Sequence, residues 1–221
     1  MNIIDLENIN SAKHIVITTD NAAFANASAL YSYILTLHKK VSLHNSEALE
    51  SRFSFLAWFD KSRIKMPTSG DEVITMSSGT RELYEFFVSN KIKINAKMAT
   101  ALYAGLLQEF DAFKSPLCDG VVFAIASELI ALKADFKECK KHLLESMSLA
   151  KLRLKAELFK TVLLDNQATH AKMYVSDLDL SSSGATLKDT FEIMKELLSL
   201  VHVERVTLYK SDENCKILKE I

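Results

Sequence analysis

Residues 14–45 read HIVITTDNAAFANASALYSYILTLHKKVSLHN, and this stretch decides the fold class. It begins with HIVIT, a β-branched run that ends in a polar turn and is typical of a buried parallel strand. Apolar residues then recur at helical spacing, which predicts a helix over residues 25–39, and KKVSLHN predicts a second strand. A strand, a helix and a strand of these lengths form a right-handed crossover unit, so the sequence predicts a parallel sheet.

The chain beyond this unit is first helical and then mixed. Between residues 45 and 80 the pattern predicts one short strand, at residues 71–76. From Thr80 onward broad apolar stripes predict consecutive helices. Beyond about residue 157 the pattern predicts two strands, a helix and a final hairpin.

We therefore predict an α/β fold with a mostly parallel sheet flanked by helices and a small C-terminal α+β lobe. The predicted parts are an α/β domain at residues 1–135, a connecting helix at residues 136–157 and the C-terminal lobe at residues 158–221. A chain of 221 residues is long enough to bury a proper core in two unequal parts.

The composition narrows the classes of function. The 27 Lys and Arg residues nearly balance the 28 Asp and Glu residues, so a net charge of −1 gives no electrostatic reason for tight binding to a polyanion. We expect any nucleic-acid contact to be local. No apolar run approaches the roughly 20 residues that a membrane-spanning helix needs. The three cysteines lack metal-ligand spacing, so we expect a cytoplasmic protein with reduced thiols and no membrane partner.

The loop after the first predicted strand carries few reactive side chains. Ligands and metals bind where parallel strands end and helices begin, and here that loop reads TTDNAAFANAS at residues 18–28. It offers one carboxylate, Asp20, among alanines. Because the chain has only five glycines, a glycine-cradled phosphate loop is not expected elsewhere either.

A longer stretch carries a family resemblance. Residues 77–116, SSGTRELYEFFVSNKIKINAKMATALYAGLLQEFDAFKSP, are similar to the helical segment that leads into the TDTGxF motif of the DHH phosphoesterase family. The likeness is to the RecJ-like and oligoribonuclease branch, and ASELIALKAD, SMSLAKLRLKAELF and residues 177–209 resemble later segments of that branch. The resemblance implies hydrolysis of phosphodiester or phosphoanhydride bonds by two manganese or magnesium ions held by aspartates and histidines.

Most ligand positions implied by this resemblance hold other residues. The first family motif, approximately HxNPDxDAxGS, puts Thr18 at the histidine and Ala22 and Phe24 at the two aspartates. Ser28 alone matches. The Asp-His-His segment has no counterpart, so we expect a shortened sheet, and Glu109 takes the aspartate position of the fourth motif.

Two further elements of the family pattern have no match. The aspartate that ends a family strand falls near Met76 or Ser77 in this chain. The glycine-rich GGGH element that grips substrate phosphate has no counterpart before Ile221, so we expect a partial C-terminal lobe. Together with the first motif, these departures imply a degenerate site.

The first hypothesis is a catalytically degenerate DHH-like protein that acts as a binding or assembly module without a metal or other cofactor. The apolar stripes of the helices at residues 96–108 and 119–132 are more often core than interface. A shortened sheet uncovers part of that apolar surface, and large uncovered patches mark interfaces. We therefore expect a homodimer or a protein partner.

One alternative keeps catalysis in a reduced site. Glu109 and Asp20 would act as the catalytic residues, and with Asp111 they would hold manganese or magnesium. The substrate would be a short oligonucleotide or a small phosphoanhydride.

Another alternative is a cleft that holds a nucleotide without hydrolysing it. The ligand-binding candidates are Ser28, Ser77 and Ser78, since a hydroxyl at a helix N-terminus can contact phosphate. Serines at such positions more often only cap the helix.

Overall fold

The computed structural model describes residues 4–77, 79–212 and 215–221. The chain divides into two compact units, Met1–Ser146 and Met147–Ile221. Each unit has a four-stranded sheet and a hydrophobic core of its own.

Four parallel strands form the sheet of the first unit. They are His14–Thr19 (β1), Lys40–Asn45 (β2), Ser62–Arg63 (β3) and Glu72–Thr75 (β4), in the order β3-β2-β1-β4. Ile15, Val16 and Ile17 of β1 are at most 1% exposed, because a central parallel strand is covered on both faces. The predicted parallel sheet and the predicted short strand at residues 71–76 are confirmed.

Helices surround this sheet. They are Leu6–Ser11 (α1), Phe24–Thr36 (α2), Thr80–Ser89 (α3), Ala96–Glu109 (α4), Gly120–Ala131 (α5) and Phe136–Lys140 (α6). α2 is buried at every residue from Phe24 to Ile34, since it packs against β1, β2 and α4. Asn95 begins α4 by accepting hydrogen bonds from two backbone amides of its first turn, which leaves fewer unpaired N–H groups.

The start of β4 is tied to the start of β1. Asp71 Oδ2 accepts hydrogen bonds from the backbone N–H groups of Lys13 and His14, each at 2.9 Å. Gly70 precedes it at a close approach, where an added Cβ would lie 2.5 Å from Val16 Cγ2. The carboxylate of Asp71 and the lack of a side chain at Gly70 therefore place the edge strand β4 beside the central strand β1.

The second unit has a mixed sheet packed against helices. Its elements are Leu149–Lys160 (α7), Leu163–Asp165 (β5), His170–Val175 (β6), Asp177–Ser183 (α8), Leu187–Glu196 (α9), Arg205–Lys210 (β7) and Lys216–Glu220 (β8). The strand order is β5-β6-β7-β8, with only the β6–β7 pair parallel. Leu154, Met173 and Ile193 are fully buried in its core. The predicted C-terminal α+β lobe is confirmed.

The prediction of a single connecting helix at residues 136–157 is wrong. α6 runs into a π-helix at Lys141–Glu145 that belongs to the first unit, and α7 begins the helical part of the second. Ser148 separates them, because its hydroxyl accepts a hydrogen bond from Lys151 N and so starts a new helix. Lysines and leucines continue through this break without Gly or Pro, which is why the apolar pattern missed it.

α8 has no counterpart among the predicted helices. Ser176 and Asp179 form a capping box at its start, in which each side chain bonds to the backbone N–H of the other residue. Gly184 ends it at φ 71°, a left-handed conformation that favours glycine. In the described part of the chain, each helix is too short or too polar to cross a bilayer.

Replacing Asp71 with Asn is expected to destabilise the first unit in a pH-dependent way. The two backbone hydrogen bonds lower the pKa of Asp71 from its ordinary 3.8, so its stabilising contribution is complete above that value and is lost as pH falls through the lowered pKa. Urea denaturation, followed by the fluorescence of the single tryptophan, Trp58, should show a lower midpoint for Asp71→Asn at neutral pH.

The difference should shrink in strong acid. Asp60→Asn is the control, since the Asp60 carboxylate makes no hydrogen bond to the described residues. Equal midpoints for Asp71→Asn and the wild type at neutral pH would show that this carboxylate does not hold β4.

Candidate functional site

The carboxyl ends of the parallel strands are the candidate site. β1, β2 and β4 end at Thr19, Asn45 and Thr75, and the parallel register places these ends at one edge of the sheet. α2 and α3 begin at this edge, and α4 ends there. We call this region the carboxyl edge. It is the place where an open parallel sheet usually binds ligands.

The carboxylate of Asp20, directly after β1, accepts a hydrogen bond from the backbone of its own loop. Its side chain is exposed, and Oδ1 accepts a hydrogen bond of 2.9 Å from Ala23 N at the start of α2. The carboxylate therefore satisfies an N–H group that would have no partner within the helix. A negative charge is also favourable at a helix N-terminus.

Glu109 does the same for a different helix. It is the last residue of α4 and is exposed, and its Oε2 accepts a hydrogen bond of 2.6 Å from Thr80 N, the first residue of α3. No side chain of α3's own cap makes such a bond. Glu109 thus joins the end of one helix to the beginning of another.

A buried polar network lies behind these carboxylates. Thr80 Oγ1 donates to Asn26 Oδ1 at 3.0 Å, and Asn26 Nδ2 donates to the carbonyl oxygen of Ser77 at 3.4 Å. Asn26 and Thr80 are at most 2% exposed. Gly105 of α4 faces both, and an added Cβ would lie 2.6 Å from Asn26 Oδ1 and 2.6 Å from Thr80 Oγ1. Sequence reasoning missed this network, although an isolated glycine inside a helix was a usable signal.

The two positions that the resemblance assigns to aspartates hold side chains that cannot bind a metal. Phe24 is fully buried, and its ring centroid lies 5.6 Å from that of Phe53 in the core. Ala22 is exposed and has no donor atom in its side chain. The first loop therefore uses one of these positions for packing.

The predicted serine ligands lie in different surroundings. Ser28 is 1% exposed inside α2, and its carbonyl oxygen accepts a hydrogen bond from Ser32 Oγ. Ser77 is exposed and follows β4 at the carboxyl edge. Ser78 lies outside the described residues. Of the two described serines, only Ser77 is open to solvent at this edge.

Asp111 lies in a loop of unusual conformation. Asp111, Ala112 and Phe113 have φ of 46°, 55° and 66°, so three successive non-glycine residues are left-handed, at a cost of roughly 1–2 kcal/mol each. Within residues 4–77, 79–212 and 215–221, no group of three or more His, Cys, Asp or Glu side chains has an arrangement that could hold a metal ion. The structure does not join Asp20, Glu109 and Asp111 into such a group, and this donor set does not fit a two-metal centre.

Neutral amides fill the space beside Asp20. Asn21 Nδ2 donates to Ala48 O at 3.1 Å, and Gln108 Nε2 donates to Asn21 O at 3.4 Å. Asn45 Nδ2 donates to the carbonyl oxygen of Glu47 at 2.8 Å. Asn45 Oδ1 and Gln108 Oε1 are buried and have no hydrogen-bond partner in the described part of the chain. These side chains order the loops of the edge without adding charge, and the sequence patterns did not single them out.

The sequence matches no protein-family model and no curated protein. The fold is similar to a solved one. An exopolyphosphatase-related protein from Bacteroides fragilis superposes with a TM-score of 0.76 at 12% sequence identity, covering 97% of this chain and 82% of that chain. A candidate family II inorganic pyrophosphatase from Methanococcus jannaschii gives a TM-score of 0.44 at 12% identity, covering 89% of this chain and 83% of that chain. At such identity, the first of these establishes a shared fold.

Gly105→Ala is expected to destabilise the first unit by roughly 1–3 kcal/mol, because the new methyl group must displace two buried, hydrogen-bonded side chains. Gly120→Ala is the matched control, since nothing lies within 4 Å of its added Cβ at the start of α5. The control should keep or slightly raise stability, as Ala favours helix more than Gly. Urea unfolding followed by Trp58 fluorescence measures both, and equal midpoints for the two variants would contradict the close approach at Gly105.

Proposed function

We propose that this protein is a catalytically inactive relative of the DHH phosphoesterases and serves as a binding or assembly module. One observation carries the proposal: the two candidate carboxylates of the carboxyl edge, Asp20 and Glu109, are used as acceptors for backbone N–H groups of helix starts. A side chain in that role contributes to the fold.

The chemistry of phosphoryl transfer supports this interpretation. Two-metal hydrolysis needs a dense set of oxygen and imidazole ligands that hold both ions, so that water is activated and charge on the phosphoryl oxygens is neutralised. At this edge Phe24 is part of the core. Apart from the exposed carboxylates of Asp20, Glu47 and Glu109, the polar side chains are mainly neutral amides. Such groups can bind or order a partner but cannot replace a cluster of carboxylates.

The fold likeness to an exopolyphosphatase-related protein supports descent from a phosphate-handling scaffold. A fold is retained through loss of chemistry when its core still serves binding or assembly, because function lies in the site and not in the fold. The core around β1 and α2 is intact.

The alternative function is metal-dependent hydrolysis of short oligonucleotides or a small phosphoanhydride. Asp20 and Glu109 are both exposed at the same edge, which favours this alternative over other enzyme classes. It would require manganese or magnesium, with Asp111 as a third oxygen ligand.

A hydrolysis assay separates the two functions. The full chain is incubated with manganese and an RNA dinucleotide, and separately with tripolyphosphate, and the remaining substrate is quantified. We expect no product from the wild type, Asp20→Ala or Glu109→Ala. Product formed by the wild type and lost in either variant would overturn the proposal and identify that carboxylate as catalytic.

Glu109→Ala is expected to lower the free energy of unfolding of the first unit by about 1 kcal/mol without any metal present, the usual effect of losing a helix cap. Glu109→Gln should lose less, since an amide oxygen still accepts a hydrogen bond from Thr80 N. Asp60→Ala is the control and should be close to neutral, since Asp60 is exposed and its carboxylate makes no hydrogen bond to the described residues. Unchanged stability of Glu109→Ala would contradict the capping role.

A further inference from the structure

The first unit has a cleft of about 390 Å³ on its surface. The loop between β2 and β3, the first turns of α4 and the segment from α5 to α6 line it. α4 ends at the carboxyl edge, so this cleft lies at its other end, about 20 Å along the helix axis. Its volume is in the range of small-molecule sites, about 300–1,000 Å³. The cleft is therefore a second place, separate from the carboxyl edge, where a ligand fits.

One side of the cleft is apolar. Phe55, Leu56 and Ala57 line it. The Phe55 ring stacks on the His142 ring, with centroids 5.1 Å apart, and Leu56 is 3% exposed because it packs into the core. These contacts hold the apolar side in place, so it can pack against the hydrocarbon part of a ligand.

Two lysines bring positive charge to the cleft. Lys97, in the first turn of α4, and Lys133, just after α5, both line it, and neither side chain makes an ion pair or a hydrogen bond to the residues that the structure describes. Lys97 Nζ instead lies 4.8 Å from the centre of the Trp58 ring. Each ammonium group therefore keeps three N–H donors for a ligand or for water. The N-terminus of α4 adds partial positive charge at the same place.

The two carboxylates that line the cleft are already engaged by the fold. Asp135 caps α6, accepting a hydrogen bond of 3.2 Å from Glu138 N, and its own N–H donates to the Thr100 hydroxyl at 2.9 Å. Glu138 pairs with Lys141 at 3.4 Å and contacts His142 at 3.2 Å. Of the charged side chains that line the described cleft, the two lysines are therefore the ones left without a polar partner. The cleft favours an anion.

We propose that this cleft binds a small organic anion, with its carboxylate or phosphate group at Lys97 and Lys133 and its hydrocarbon part against Phe55. The inference goes beyond the proposed function, because the described residues that line the cleft include none from the carboxyl edge. It holds whether or not the chain hydrolyses a phosphate ester.

Binding of four probes to the full chain, measured without added metal, tests the inference. Phenylacetate and phenyl phosphate carry both an anionic group and a ring, whereas phenylacetamide lacks the charge and inorganic phosphate lacks the ring. Because Lys97 Nζ lies over the ring of the single tryptophan, Trp58 fluorescence should change on binding, and isothermal titration calorimetry gives the dissociation constants. The two organic anions should bind saturably, with dissociation constants lower than those of the other two probes by roughly fivefold or more.

Lys97→Met and Lys133→Met each remove one ammonium group and keep a flexible side chain. Each should raise the dissociation constants of phenylacetate and phenyl phosphate roughly fivefold. Lys91→Met is the matched control, because Lys91 is also exposed, follows α3 as Lys133 follows α5, and has a left-handed backbone too, with φ of 55° against 69°. Lys91 does not line the cleft, so this variant should bind both probes as the wild type does.

Asp135→Asn separates an anion from other classes of ligand. Asn is also a favoured helix cap, so α6 keeps its start while the cleft loses a negative charge. Both organic anions should bind more tightly to this variant, and the gain should shrink at high salt. Weaker binding would show that Asp135 accepts a hydrogen bond from the ligand, and would overturn an anion as the ligand class.

Far-ultraviolet circular dichroism reports that each variant is folded. If neither organic anion binds saturably to the wild type, the inference is overturned. Phenylacetamide that binds as tightly as phenylacetate, or folded Lys97→Met and Lys133→Met variants that bind both anions like the wild type, would overturn the role of the two lysines. Inorganic phosphate that binds as tightly as phenyl phosphate would overturn the role of the apolar side.

These outcomes are separable from those of the hydrolysis assay. A chain that binds phenylacetate and forms product in that assay would overturn the lack of catalysis and leave the cleft site in place. A chain that binds neither organic anion and forms no product would overturn the cleft site and leave the lack of catalysis in place.

Discussion

The close approach of three helices at Gly105 is the constraint on which the carboxyl edge depends. The volume that a side chain would occupy is taken by Asn26 Oδ1 and Thr80 Oγ1. Because these two atoms can then bond to each other, the start of α3 is fixed against α2, and the amide of Thr80 points to Glu109. The starts of α2 and α3 and the end of α4 therefore depend on the absence of a methyl group at Gly105.

This arrangement gives one oxygen of each carboxylate, Asp20 Oδ1 and Glu109 Oε2, a structural use. A lone pair of Glu109 that accepts the N–H of Thr80 has its direction fixed by the backbone, and a lone pair of Asp20 is fixed by Ala23 in the same way. Ligation of a metal by those oxygens would draw on the same groups that begin α2 and α3. The buried ring of Phe24 gives the loop a packing role, since the ring is removed from water and packs against Phe53.

The parts of this structure that depend on local pattern could be predicted. The sequence predicts β1, α2 and β2 because β-branched runs and helical spacing are properties of neighbouring residues. The hydrogen bond from Thr80 to Glu109 joins residues 29 positions apart, and Gln108 contacts Asn21 over 87 positions, so no local pattern contains them. The break at Ser148 is set by a single hydroxyl group in a sequence that otherwise continues a helical pattern, and α8 begins at a capping box of two side chains directly after a strand. Propensity and periodicity give such groups little weight.

The parallel order β3-β2-β1-β4 also has a consequence for the time course of folding. β1 pairs with β2 after a short crossover through α2. Its other neighbour, β4, is positioned by Asp71, which lies 57 residues beyond His14. The entropy lost on closing a loop grows with its length, so the β1–α2–β2 unit can assemble well before β4 is in place. Until then one side of the central strand has unpaired backbone groups. The two hydrogen bonds to Asp71 therefore form late, when β4 joins a sheet in which β1 and β2 are already paired.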